Sequence, residues 1–253
     1  MPILKKELKS FFYSPIAYVV ITMFSIINGY FFFALMMNFA DWSRQVLMNN
    51  PNAVININEV VLRQLFGNMN FITLLMLPIL TMKLFSEEKK TGTFELITTY
   101  PIKDIDLVLG KILSAVTVFS IMLLLTLLYP TFIYMYSNLD FGMSIAAYLG
   151  TFLLGVSFIS LGTFISALTE NQIVSAIVSF GVLLLFWVLN LMGKLSFSEG
   201  LLSEVFKQLS LTTHYENFSK GIIDISDITY YLSFIALSIF LTLRALESKK
   251  WRG

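Results

Sequence analysis

The sequence predicts an all-α membrane protein with six transmembrane helices. Three observations carry that reading. Six apolar runs approach or exceed the ~20 residues that a helix needs to cross a ~30 Å hydrocarbon core. Charged residues make up 13% of the 253-residue chain and hydrophobic ones 57%, where a soluble domain uses about 25% charged residues; the mean hydropathy is +0.78. Finally, Lys and Arg gather in alternate intervals between the runs, the pattern that fixes orientation in a bilayer.

Composition also limits function. A formal net charge of +1 says nothing about nucleic acid, and what matters is where the charges fall; the absence of cysteine removes disulfides, thiolate nucleophiles and cysteine metal sites. The apolar runs lack the two-residue alternation of barrel strands, so helices are expected. No internal repeat or low-complexity linker divides residues 1–253, which read as one transmembrane domain.

Along the chain, residues 1–14 come first. Ile3, Leu4, Leu8, Phe11 and Phe12 share one helical face, with Lys5, Lys6, Glu7 and Lys9 mostly on the rest; this predicts an interfacial amphipathic helix. Its lysines alternate with apolar residues and the next run is too long for a signal core, so the chain is expected to keep its first span. Spans are placed at about 16–37, 67–85, 107–136, 143–168, 172–193 and 229–246. Ser14-Pro15 supplies a cap and a first-turn proline for span one, Asp104 a cap for span three, and Ser226-Asp227 a cap for span six. Pro78 and Tyr129-Pro130 are candidate kinks, because proline removes a backbone donor. Span three is longer than one crossing, so its start projects from the membrane or it tilts.

With both termini inside, the inner intervals hold Lys5, Lys6, Lys9, Lys83, Lys89, Lys90, Lys103, Lys111, Arg244, Lys249, Lys250 and Arg252. The outer ones hold Arg44, Arg63, Lys194, Lys207 and Lys220. That asymmetry places both termini in the cytoplasm of a multi-pass protein of the inner or plasma membrane.

Three intervals carry the remaining polar chemistry. In Ser86–Pro101, Gly92 permits a turn at positive φ, Thr93 can cap a following short helix, Glu95 sits in its first turn, and Pro101 stops it. A short helix held between two spans is a lever; a solvated loop serving only orientation is the plainer alternative. Glu87 and Glu88 argue for the lever, since acidic residues contribute little to orientation and can pair with a partner or the N-terminal helix. A second inner interval, Leu168-Thr169-Glu170-Asn171-Gln172, is a tight polar turn. Outside, Leu201, Leu202, Val205, Phe206 and Leu209 share a face, and Thr213-His214-Tyr215-Glu216 has capping-box spacing with Gly221 placed to end the helix. Two short outer helices are expected there. A lone His beside Glu216 reads as a capping or interface hydrogen bond sooner than as a metal ligand. Within the spans, Gly162/Ser166 and Ser175/Ser179 favour close packing, and Asn28 and Asn190 read as interhelical bonds or as the lining of a path.

The Glu-Glu-Lys-Lys-Thr-Gly-Thr-Phe-Glu stretch at 87–95, followed by Pro101, resembles the cytosolic coupling segment of the ABC type-2 permease family. The Thr-Glu-Asn-Gln turn at 169–172 and His214–Asp224 resemble the gliding-motility-type and nitrous-oxide-reductase-maturation-type (GldF-like and NosY-like) members. The resemblance runs from the amphipathic start to Glu247–Trp251. It implies a permease subunit, mostly of exporters, that pairs with a second permease chain, identical or different, and with cytosolic ABC ATPase subunits. It also implies a cytosolic coupling helix at 86–101, re-entrant outer helices, and ATPase-coupling roles for Glu87, Glu88, Gly92, Thr93, Glu95, Pro101, Glu170 and Asn171. No Gly-x-x-x-x-Gly-Lys-Ser/Thr loop is present; Gly110-Lys111 is followed by Ile112. ATP and Mg are therefore expected on the partner ATPase, with no cofactor, metal or catalytic constellation on this chain. The rival readings are a membrane scaffold of a motility or maturation assembly and an ATP-independent channel or transporter.

Overall fold

A computed structural model describes residues 2–52, 56–95, 103–137, 139–195 and 201–250. Every regular element among them is helical: α1 (Pro2–Tyr13), α2 (Pro15–Asn49), a π-helical turn (Asn58–Leu62) leading into α3 (Arg63–Thr81), α4 (Lys83–Lys90), α5 (Asp104–Thr126), α6 (Leu128–Tyr136), α7 (Phe141–Leu168), α8 (Gln172–Leu195), α9 (Leu201–Leu209), α10 (Leu211–Ser219) and α11 (Ile225–Lys250). Six stretches among the described residues are long and apolar enough to cross a membrane: Pro15–Asn49, Asn58–Lys90, Asp104–Tyr136, Phe141–Leu168, Gln172–Asn190 and Ile225–Ser248.

Two boundaries differ from expectation. The first helix continues well past residue 37 because nothing between Asn38 and Asn49 stops it; the chain leaves the helix at Asn50, in extended geometry (φ −144°, ψ 96°), where Pro51 disfavours helical backbone. The second begins at Asn58 rather than 67. Its first turns are amphipathic, with Val61, Leu62, Leu65 and Phe66 buried and Glu59, Arg63 and Gln64 exposed, so a hydropathy window misses them.

Helix α7 is the axis of the fold: 72% of its apolar window is buried, against 17% for the first, fifth and sixth spans. Close approach is built in by missing side chains. A Cβ on Gly155 would lie 2.1 Å from the Phe119 ring and one on Gly150 2.6 Å from Phe218, so α5 and α10 pack where α7 has no side chain. The spans with little burial present their apolar faces outward, as a bilayer or a partner helix requires.

Helix caps refine the sequence reading. Ser14 caps α2, accepting from the Ile16 N–H at 3.4 Å, with Pro15 in the first turn. Asp104 is instead the first helical residue of α5, after an N-cap at Lys103. Asp224, not Ser226 or Asp227, opens the sixth span by accepting from the Ser226 N–H at 2.9 Å. The cap of α10 is Ser210, which accepts from the Thr213 N–H at 3.4 Å, rather than Thr213 itself. Gly221 ends α10 as expected, at φ 83°, in a Schellman pattern: its N–H bonds to the Phe218 carbonyl, and the Ile222 N–H to the Asn217 carbonyl, both at 3.0 Å.

Proline acts one turn upstream of itself. Pro130 cannot donate to the Thr126 carbonyl, and the third span breaks at Leu127, between α5 and α6. Pro78 stays inside α3, and the second span is interrupted later, at Met82. The cause is Ser166 of α7. Its hydroxyl accepts from the Phe85 and Ser86 N–H groups at 3.1 and 3.2 Å and donates to the Met82 carbonyl at 2.9 Å. These are groups a continuous helix would pair internally, so an inserted side chain opens the ladder.

Candidate functional site

Helix α4 and the turn after it stand at the end of the fold that also carries α1 and the 169–171 turn. The last turn of α4 holds Lys89 and Lys90, whose charge complements the helix C-terminus. The Thr91 N–H bonds to the Glu87 carbonyl at 3.0 Å, and Gly92 then reverses the chain at φ 71°, a left-handed conformation that favours glycine. Residues 93–95 form one helical turn. The Thr93 hydroxyl donates back to the Glu88 carbonyl at 3.3 Å and meets the Thr91 hydroxyl at 2.9 Å; the residues beyond Glu95 that it would cap lie outside the described ones. Phe94 is half-buried against Phe85, with ring centroids 6.4 Å apart. Glu87, Gly92, Thr93 and Glu95 are exposed. Pro101 lies outside the described residues.

Three neighbours hold α4. Towards α7, the Ser166 hydroxyl caps its first turn and the Lys89 ammonium donates to the Ala167 carbonyl. That second bond ties it to the residues just before the Thr169–Gln172 turn. In that turn Asn171 caps α8, its side-chain oxygen accepting from the Ile173 N–H at 2.9 Å, and Glu170 is exposed. The two intervals singled out in the sequence are thus brought together.

Towards α1 and α5 the fastening is ionic. Lys111 of α5 is 1% exposed and places its ammonium 3.0 Å from Glu7 Oε1 of α1 and 2.9 Å from Glu88 Oε2 of α4; it also donates to the Leu84 carbonyl. The other Glu88 oxygen lies 3.0 Å from the Lys6 ammonium of α1. Lys83 sits over the Phe11 ring at 4.3 Å, a cation–π contact on the same side. A cleft of about 290 Å³ between α1 and α4 is lined by Lys6, Glu7, Ser10, Lys83, Glu87 and Thr93.

Sequence reasoning missed the parts played by Glu7 and Lys111, and it read Ser166 as a small packing residue without its bonds to α4. Glu7 counts there as part of a polar face, yet the buried stripe of α1 is Ile3, Glu7 and Phe11, at successive four-residue steps. Lys111 counts only towards orientation, although a lysine inside an apolar run is itself a signal that a partner is needed.

At the opposite end, His214 is an interface residue. Its Nδ1 lies 2.7 Å from Asp227 Oδ1, its Nε2 faces the Gln208 carbonyl at 3.1 Å, and its ring stacks on Tyr230. Asn217 donates to the second Asp227 oxygen at 2.8 Å. Asn190 donates to Glu216 at 3.1 Å, joining α8 to α10, whereas Asn28 donates to the Phe24 carbonyl of its own helix at 2.8 Å.

In comparison with known families, residues 1–246 match the family described as ABC-2 family transporter protein. No curated protein matches the chain.

Proposed function

Because the chain belongs to the ABC-2 transporter family, a family of membrane transport subunits, we propose that it is the permease half of an exporter whose ATP and Mg are handled by separate cytosolic ABC ATPase chains. In this reading the end bearing α1 and α4 faces the cytoplasm, with both termini, and the protein resides in the cell membrane. The observation that carries the reading is the fastening of α4 to α1, α5 and α7 at once: a push on its exposed turn moves three membrane elements together. Glu87, Gly92, Thr93 and Glu95 are the surface the ATPase meets, with Glu88 anchoring that surface from behind. Glu170 and Asn171 form a smaller second contact, brought alongside by Lys89. The outward apolar faces of α2, α8 and α11 take up lipid and a second permease chain, and the likeness to gliding-motility-type members favours a different chain over an identical one.

The test is a reconstituted complex with its ATPase chain. Glu95→Arg, and separately Phe94→Pro, leaves assembly and ATP hydrolysis in place and abolishes their link to substrate movement. Unchanged transport in both variants overturns the coupling role of this segment.

A further inference from the structure

The Lys111 ammonium sits among three oxygens: it donates to Glu7 on α1 and to the Leu84 carbonyl on α4, and it forms an ion pair at 2.9 Å with Glu88 Oε2 of α4, a buried oxygen that accepts no hydrogen bond. The groups it joins lie 104 and 27 residues before it in the chain. Its neighbour Gly110 makes the approach possible. A Cβ there would lie 2.8 Å from Ile3 Cγ2 and 3.5 Å from the Leu4 nitrogen, so α1 seats directly on the backbone of α5. The Phe85 ring lies 5.0 Å from the same ammonium. Glu88 in turn bridges two cations, Lys111 and Lys6, which belong to different helices.

A buried ionic group of this kind adds little net stability relative to well-packed apolar side chains, because desolvation offsets the attraction; what it fixes is geometry. An apolar contact between α1, α4 and α5 tolerates sliding. An ammonium held by three oxygens does not.

We propose that Lys111 is a positioning residue that joins α1, α4 and α5 into one body, so that displacement of the coupling turn reaches the N-terminal helix and the third span directly. The inference rests on the coupling role given to α4 above and adds a residue that makes no contact with the exposed turn itself. Without this joint, α4 keeps Ser166 and Lys89 to α7, the backbone to α3, and only the Lys6–Glu88 pair and the Lys83–Phe11 contact to α1, with no ionic link to α5.

The experiment uses the full complex with its ATPase chain in lipid nanodiscs. The chain has no native cysteine, so spin labels go on Lys9→Cys and Lys90→Cys, both exposed, one on α1 and one on α4. A second pair, Lys90→Cys with Ser248→Cys, reports motion of α4 against the end of α11. In the parent protein the 9/90 distance is a single narrow peak that does not change when ATP and orthovanadate trap the ATPase, while the 90/248 distance does change. In Lys111→Met/Glu7→Gln, which removes one charge of each sign, the 9/90 peak loses its narrow form and shifts on trapping; Lys111→Arg, which keeps the cation, restores it. ATP hydrolysis by the double variant stays at the parent level, which a merely misfolded protein would not preserve. A 9/90 peak that stays narrow and unmoved in the double variant overturns the role of Lys111. A 90/248 distance that ignores nucleotide in the parent overturns the coupling reading instead, and the nucleotide-free 9/90 width then decides on Lys111 by itself.

Discussion

Gly162 of α7 rests on Thr81 of α3 so closely that a Cβ on the glycine would lie 2.3 Å from the threonine hydroxyl oxygen. The contact sits one turn before Ser166, which opens the second span at Met82. Gly162→Ala forces the two helices apart just before the point where the second span is interrupted. We expect a loss of about 1–3 kcal/mol, read as a lower thermal midpoint of the solubilised protein. Gly67→Ala, where a Cβ meets nothing within 4 Å, serves as the comparison and stays near the parent value.

Ser166→Ala removes the acceptor of two backbone N–H groups, those of Phe85 and Ser86. Each buried donor left without a partner costs about 1–3 kcal/mol. Amide hydrogen exchange over residues 83–90 accelerates in this variant. Ser160→Ala leaves that segment protected, because Ser160 bonds only to Val156 within its own helix.

Gly221 holds the end of α10 at φ 83°, with Met143 Cα 3.1 Å from where a Cβ would sit. Gly221→Ala meets both the conformational penalty of about 1–2 kcal/mol for a left-handed residue and the Met143 backbone. Its thermal midpoint falls further than that of Lys220→Ala, whose φ is −96°.

Asp227 is 4% exposed and keeps both carboxylate oxygens bonded, one to His214 and one to Asn217. His214→Ala strips one of them at a cost of about 1–3 kcal/mol. In a double-mutant cycle with Asp227→Ala the two losses are less than additive. Additive losses would mean that the pair contributes nothing as a pair.

Orientation is tested by labelling intact cells with a membrane-impermeant maleimide. Thr91→Cys stays unmodified and Asn52→Cys reacts, both positions being exposed. The reverse pattern would overturn the placement of α4 in the cytoplasm.

What was legible in the sequence follows from how local each signal is. The apolar runs, the Ser14-Pro15 cap and the Gly92 and Gly221 turns rest on a few neighbouring residues, and the fold has them where expected. The first turns of the second span were invisible to hydropathy because they are amphipathic helix, buried on one face only, and the tail of α2 because its residues 38–49 are polar in part and none of them is buried. The ionic joint was hidden for another reason. Glu7 and Lys111 are partners across 104 residues, and a single sequence carries no trace of which distant lysine satisfies which glutamate. Asp227 was mistaken for a cap because a cap and a buried hydrogen-bond acceptor look alike until the neighbouring helix end, opened by Asp224, is in view.

At Met82 the second span gives hydrogen bonds of its own ladder to Ser166, while its backbone stays helical at φ −53° and ψ −34°. In an unbroken helix, one inserted residue turns everything downstream by about 100°, and any surface presented at the far end would be tied to the packing register of the span. Here the helical backbone at Met82 carries the register of α3 into α4, and Ser166, Lys6 and Lys111 hold the face so presented. A residue inserted into α3 would therefore set the packing of the span against three side-chain fastenings at once.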